Sequence, residues 1–231
     1  MADLPPLEAL VSTRQSLHRV AEHLLAAALK RATGQIALRA VSGGFGTPPL
    51  PGDGTVLAVV GADLVVDRGG DVRRQRLTTL REAAQFAGVE PGFPWTKQPP
   101  ATSFEPDAPL TVDDRAAATL ADWFALGDLA LMRWAEEIRG EDPTPAVVFP
   151  EHFDLASTAA EVNYGFSPGD ESIPLPYAYV GPWAGAPVRD EFWNAGFGAV
   201  RTVREVGTVE QAVAFLREGR DRLQVTGPAR P

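Results

Sequence analysis

The chain has no cysteine and no long hydrophobic run. Without cysteine, disulfide bonds, thiolate metal sites and a cysteine nucleophile are excluded. The longest apolar run, residues 24–29, is far shorter than the roughly 20 residues that cross a bilayer. The first ten residues carry Asp3 and Glu8 and no basic residue, which is not typical of a secretory signal. We therefore expect a soluble, cytoplasmic protein that is not associated with a membrane.

Positive charge is also scarce. The 231 residues include 21 Lys and Arg against 30 Asp and Glu, which gives a net charge of −9. Such a chain repels phosphate backbones, so we expect no nucleic-acid partner. Residues 101–180 hold 15 acidic and 3 basic residues. This imbalance indicates either a solvated acidic helix face or a surface that attracts a cation or a basic partner.

Glycine and proline are abundant, at 22 and 21 residues, and predict many turns rather than a helical bundle. Apolar residues at a spacing of three to four predict long amphipathic helices over residues 7–33 and 112–139, and shorter helices over 80–87 and 209–217. Alternating or β-branched runs predict strands at 35–41, 55–60, 64–67, 72–77, 146–149, 153–157, 177–180 and 198–203. Residues 42–54 and 163–171 are predicted to be loops. The predicted fold class is α+β, with mainly antiparallel sheets packed by the two long helices.

Several residues are expected to bound the helices. Gly34 and Gly88 are predicted to end the first helix and the helix at 80–87, and Gly219 the last one. Thr78 or Thr79, Thr111 and Thr208 are predicted to cap the three helices that follow them. Thr208 has Gln211 at the third position after it, and Thr111 has Asp114, as in a capping box.

The predicted elements occur in the same order twice. A long helix, several strands and a short helix are expected in residues 7–88 and again in 112–219, with the Pro-rich segment 89–110 as a linker between them. The closing helices of both halves contain similar residues. The order indicates a degenerate internal duplication within a single domain of residues 1–231, and coincidence of common helix chemistry is the alternative.

Aromatic residues concentrate near a group of polar residues. Residues 149–197 hold 10 of the 19 aromatic side chains. Large rings with polar tips line ligand pockets, although an irregular core uses them too. Within this stretch, Glu151, His152 and Asp154 follow one another closely. On a strand, His152 and Asp154 would share a face, and a carboxylate beside an imidazole suits a general base or a metal ligand.

Other motifs carry less information. The sequence of residues 43–46, Gly-Gly-Phe-Gly, lacks the Gly-Lys-Ser/Thr ending of a phosphate-binding loop. There is no Gly-x-Gly-x-x-Gly motif and no second histidine near His152 in the sequence, so the metal signal is weak and the sequence identifies no particular cofactor. His18 and His23 lie five residues apart on the first helix and are expected to be packing or surface residues.

The strings Pro-Glu-His-Phe-Asp-Leu-Ala at 150–156, Asn-Tyr-Gly-Phe-Ser-Pro-Gly-Asp at 163–170, Tyr-Val-Gly-Pro-Trp at 179–183 and Phe-Trp-Asn at 192–194 form a specific combination. It resembles a group of hypothetical proteins of high-GC bacteria with no established activity. The resemblance implies that residues 150–183 form one unit, and it implies no mechanism.

Three functions remain open from the sequence. The first is a small-molecule-binding protein whose aromatic-lined pocket lies in residues 149–197. Its predicted ligand-binding residues are Glu151, His152, Asp154, Asn163, Tyr164, Tyr179 and Trp183. The second is a hydrolytic or metal-assisted enzyme in which His152 and Asp154 are catalytic, assisted by Glu151 or Asp170. The third is an acidic protein-interaction module around Asp122, Asp128, Glu136 and Glu137.

Overall fold

The computed structural model describes residues 4–94 and 99–226. Its helices and two antiparallel five-stranded sheets confirm the predicted α+β class. The described residues fall into two compact units. The N-terminal unit contains residues 4–94, 99–125 and 147–154, and the C-terminal unit contains residues 126–146 and 155–226.

The first helical segment confirms the predicted helix and contains a feature that was not predicted. Leu7–Val20 (α1) and Ala27–Thr33 (α2) are α-helical, and Ala21–Ala26 between them is a π-helix. The segment ends where Gly34 takes a left-handed conformation, with φ of 78°. Such π-helical turns are rare in proteins and are often found at functional sites.

The first sheet follows this helix. Its strands are Arg39–Val41 (β1), Gly44–Gly46 (β2), Val56–Val60 (β3), Asp63–Arg68 (β4) and Asp71–Arg76 (β5), in the order β1-β2-β3-β4-β5. The loop predicted at residues 42–54 is wrong where it includes β2. A Cβ atom on Gly44 would lie 2.0 Å from the Val59 carbonyl oxygen, so glycine here allows close strand approach rather than a turn.

The helix Leu80–Ala87 (α3) agrees with its prediction: the Thr79 hydroxyl accepts from Glu82 N, and Gly88 follows it. The described part of the Pro-rich segment, residues 89–94 and 99–110, is hydrogen-bonded to the first helical segment. The Glu22 carboxylate accepts bonds from Ala101 N, Thr102 N and Thr102 Oγ1, at 2.7, 2.9 and 2.7 Å.

The second long helix is Asp114–Glu137 (α4), followed by a 3₁₀ turn, Arg139–Glu141. Its predicted cap, Thr111, is wrong. The Asp113 carboxylate accepts from Ala116 N at 2.9 Å, as a capping side chain does. Thr111 N instead donates to Ser16 Oγ at 2.9 Å, which draws this residue toward α1.

The second sheet has the order β10-β9-β8-β7-β6. Its strands are Val147–Phe149 (β6), Asp154–Ala159 (β7), Val162–Ser167 (β8), Tyr177–Pro182 (β9) and Ala199–Thr202 (β10). The loop predicted at residues 163–171 is wrong over residues 163–167, which belong to β8. The turn before β8 is made by Ala160 and Glu161 at φ of 48° and 63°, and neither is a usual residue for a tight hairpin.

The last helix, Val209–Thr226 (α5), extends beyond its prediction. Gln211 N donates to Thr208 Oγ1 and Thr208 N to Gln211 Oε1, both at 3.2 Å, which confirms the capping box. The predicted end at Gly219 is wrong. A Cβ atom there would lie 2.8 Å from a Val180 methyl group, so this glycine lets α5 pack closely on β9.

The order of elements is helix, five strands, helix in residues 7–87 and again in 114–226. Each sheet is a meander in which consecutive strands are neighbours. The duplication and the single-domain reading stay predictions, since an equal order of elements does not establish a common origin.

Candidate functional site

The sequence-predicted catalytic residues flank the start of β7. His152 is exposed and lies in a turn in which Phe153 N donates to the Phe149 carbonyl oxygen at 2.7 Å. Phe153 has a φ of 53°, so the strand that would place His152 and Asp154 on one face begins only at Asp154. The Asp154 side chain is 8% exposed. The catalytic role of the two residues stays a prediction.

This turn is held against α1 by a histidine outside the predicted site. His18 Nε2 lies 2.8 Å from the Pro150 carbonyl oxygen, and the His18 ring stacks on Phe153 at a centroid distance of 5.4 Å. Burial lowers the pKa of His18, and the nearby Glu22 carboxylate opposes that shift. The neutral ring is therefore favoured, and its Nε2–H donates to the carbonyl.

The Glu151 Oε2 atom is buried and has no hydrogen-bond partner among the described residues.

The other predicted ligand-binding residues belong to the C-terminal unit. The Asn163 Oδ1 atom accepts from Trp183 Nε1 at 3.1 Å and from Thr158 Oγ1 at 2.8 Å. The Trp183 side chain is 65% exposed. These three residues thus form a small polar group on the surface of the sheet.

Tyr164 and Tyr179 have packing roles in the same unit. Tyr164 is buried against Trp134, with ring centroids 5.2 Å apart, and burial raises the pKa of its hydroxyl. Tyr179 lies over Gly165, where a Cβ atom would come within 2.4 Å of the tyrosine ring. The ligand-binding role of both tyrosines stays a prediction.

A groove of about 500 Å³ lies in the C-terminal unit between the second half of α4 and the segment 143–146. We call it the Asp128 groove. Its lining residues are Asp128, Leu131, Met132, Arg133, Ala135, Glu136, Pro143, Thr144, Pro145 and Ala146.

One wall of the groove is a face of α4, and the other is the segment 143–146, which is hydrogen-bonded to β7. Asp128, Leu131, Met132 and Ala135 follow the spacing that puts side chains on one side of a helix. The facing segment is fixed to β7, because Thr144 N donates to the Thr158 carbonyl oxygen at 2.9 Å. Ser157 Oγ donates to the Thr144 carbonyl oxygen at 2.6 Å.

The charged residues of the groove differ in their partners. Arg133 Nη1 donates to Glu210 Oε1 at 2.8 Å, and Glu136 is paired with Arg139. Asp128 is half-buried and has no hydrogen bond or ion pair among the described residues. Burial raises the pKa of the Asp128 carboxyl, since its charged form loses hydration without gaining a partner. The groove therefore presents one acid without a partner among the described residues, beside apolar side chains and two charged side chains that are already paired.

A second groove of about 500 Å³ lies beside α5. Its lining includes Trp193, which belongs to the aromatic-rich stretch, and Val188. Its arginines are already paired: Arg217 with Glu137, and Arg222 with Glu218 at 2.7 Å. A ligand would have to compete with these ion pairs, so this groove offers less unused chemistry than the Asp128 groove.

Sequence reasoning identified Asp128 only as one acid of an acidic helix face. Its position three and four residues before Leu131 and Met132 was a usable signal, because this spacing places a charge beside an apolar surface. No sequence pattern shows that Asp128 has no basic side chain as an ion-pair partner.

Within residues 4–94 and 99–226, no group of three or more His, Asp or Glu side chains is arranged to hold a metal ion. No helix of the same residues is long and apolar enough to cross a membrane. Comparison of the chain with protein-family models, with curated proteins and with solved structures finds no match.

Proposed function

We propose that the C-terminal unit binds a small molecule that carries an ammonium group on an apolar body, and that the Asp128 groove is the site. The observation that supports this is the Asp128 carboxylate, which borders the groove without a partner among the described residues. A half-buried carboxylate gains a charge-assisted hydrogen bond when an ammonium reaches it. The proposal keeps the small-molecule function expected from the sequence and moves its site outside residues 149–197.

The walls of the groove suit the apolar part of such a ligand. The volume of about 500 Å³ lies in the range usual for small-molecule sites. Met132 is 56% exposed, and its flexible thioether adapts to ligands of different shape. Pro143 and Pro145 add rigid apolar surface on the opposite side.

Dansylcadaverine, a fluorescent primary amine, tests the proposal. Titration followed by dansyl fluorescence should show saturable binding, and the pentyl analogue without the amine should bind at least about tenfold more weakly, since a hydrogen bond to a charged group contributes about 1.5–3 kcal/mol. Binding should strengthen as the pH rises through the raised pKa of Asp128, because only the ionised carboxylate attracts the ammonium.

Asp128→Asn should weaken binding of the amine by about tenfold and leave binding of the neutral analogue unchanged. Asp122→Asn is the matched control, since Asp122 is an exposed acid of the same helix that does not line the groove. Equal binding of amine and analogue, or equal effects of the two substitutions, would reject the proposal. Preference for a lysine-rich peptide over the amine would instead support the acidic interaction module.

Met132→Ala should weaken both probes by a factor of about three to ten, since it removes apolar surface from the groove wall. Leu129→Ala is the control: Leu129 is 49% exposed on α4 and does not line the groove. A larger loss with Leu129→Ala would place the apolar part of the ligand on another face of the helix.

A further inference from the structure

The strand β5 forms one end of the first sheet and leaves a backbone edge uncovered within that sheet. It pairs with β4 through a two-residue turn, Gly69 and Gly70, at φ of 61° and 96°. In such a hairpin the closing pair, Arg68 and Asp71, is hydrogen-bonded, and antiparallel pairs alternate from there. The backbone groups of Val72 and Arg74 therefore point away from β4, toward the outer edge.

Arginine side chains dominate this edge. Arg73 and Arg74 are exposed, and neither has a carboxylate partner among the described residues. The Arg73 guanidinium lies 5.1 Å from the centroid of the Phe86 ring of α3, which is a cation–π contact. The strand thus carries two arginines without an acidic partner in the described part of the chain, although the chain as a whole has a net charge of −9.

Acidic residues of the chain already bind next to these cations. Arg76 Nη1 lies 2.5 Å from Asp114 Oδ1. Arg81 forms two hydrogen bonds with the Asp107 carboxylate, at 2.5 and 2.7 Å. The surface around β5 therefore gathers carboxylates from the segment that passes it.

A groove of about 440 Å³ lies beside the end of β5, between this strand and α3. It is lined by Gln75, Arg76, Thr78, Glu82, Gln85 and Phe86. A chain that extended along the edge would thus find room for a side chain as well as free backbone groups.

We propose that the β5 edge of the N-terminal unit binds an extended acidic segment of another protein as an additional antiparallel strand. Backbone hydrogen bonds to Val72 and Arg74 would supply affinity, and carboxylates at alternate positions of the segment would lie beside Arg74. Charged side chains on an edge strand discourage pairing with neutral or basic strands. The same arginines favour an acidic strand, so they select the partner rather than close the edge to all partners.

A fluorescein-labelled peptide of eight residues that alternates glutamate and valine is the probe. Fluorescence anisotropy should show saturable binding to the full chain, and a peptide with lysine in place of glutamate should not bind. A version with N-methylated amides at alternate positions should bind about tenfold more weakly, since it cannot form the edge hydrogen bonds.

Arg74→Glu should weaken binding of the acidic peptide by about tenfold or more, because it replaces attraction with repulsion. Arg39→Glu is the matched control: Arg39 is an exposed arginine of β1, at the other end of the same sheet, and no described residue pairs with it. This control should stay within about twofold of the unmodified protein, since it changes only the net charge.

Four results would overturn the proposal. They are no saturable binding of the acidic peptide, equal loss in the two variants, unchanged binding of the N-methylated peptide, and stronger binding of a single-stranded oligonucleotide of equal charge. The last two would show that charge alone governs binding, with no added strand.

Discussion

Two acids of this protein, Glu22 in the N-terminal unit and Asp128 in the C-terminal unit, are both shielded from water, but they differ in whether other residues bind the carboxylate. Glu22 is 1% exposed, and three hydrogen bonds from Ala101 and Thr102 satisfy its carboxylate. Asp128 is less buried, and no described residue satisfies it. Burial of an acid therefore does not identify a binding site. The absence of an internal partner leaves the Asp128 carboxylate available to a ligand, and the proposed site rests on that difference.

Glu22→Ala gives the largest expected effect and tests the structural half of this comparison. The substitution leaves the Ala101 and Thr102 amides without their acceptor, and each such buried donor costs about 1–3 kcal/mol. We expect the free energy of unfolding to fall by about 3 kcal/mol in urea denaturation.

Glu8→Ala is the control for that experiment, since Glu8 is an exposed acid of α1. It should change the free energy of unfolding by less than about 0.5 kcal/mol. If both variants were equally stable, Glu22 would not fix residues 101–102, and the contrast with Asp128 would lose its basis.

How far the sequence predicts these features depends on the range of the interactions. The caps at Thr79 and Thr208 are predictable, because the cap and the amide that it binds are three residues apart. The strand β2 and the continuation of α5 past Gly219 are not, since glycine there serves contacts with distant Val59 and Val180. From the neighbouring residues alone, Gly44 is interpreted as part of a loop and Gly219 as the end of a helix.

The candidate site shows the same limit. Whether Asp128 is paired depends on where nearby arginines go, and Arg133 pairs with Glu210, 77 residues later in the chain. Likewise, the carboxylate of Glu22 binds residues about 80 positions away. Both acids stand out in the sequence only as charged residues on amphipathic helices.

The second largest expected effect is a change in the free energy of unfolding with pH, which we expect to depend on His23, the residue next to Glu22. His23 Nε2 lies 3.0 Å from the Thr102 carbonyl oxygen, and burial lowers the pKa of the ring. The unfolded chain therefore binds a proton before the folded one as the pH falls below the ordinary value of 6.5. Stability of the N-terminal unit should fall over that range and be insensitive to His23 above it.

His23→Gln should reduce the loss of stability between pH 7.5 and pH 5.5, as measured by urea denaturation at both values. The lowered pKa of His18 acts in the same direction, so part of the loss should remain in this variant. Arg19 adds to the shift at His23, and Glu22 opposes it. An unchanged loss in the variant would show that protonation of His23 does not limit stability at low pH.

The smallest expected effect is that of Asp128→Asn on stability. It tests whether Asp128, in contrast to Glu22, has no structural partner. A raised pKa means that the folded state binds the proton more tightly than the unfolded chain does. The stabilising contribution of the protonated acid is thus present below about 3.8 and is lost as the pH rises through the raised pKa. At pH 7 the substitution should leave the free energy of unfolding unchanged or raise it by less than about 0.5 kcal/mol, because the asparagine carries no charge to desolvate. A clear loss of stability in urea denaturation at pH 7 would mean that the Asp128 carboxylate has a structural partner after all, as Glu22 has, and it would remove the reason to assign a ligand to its groove.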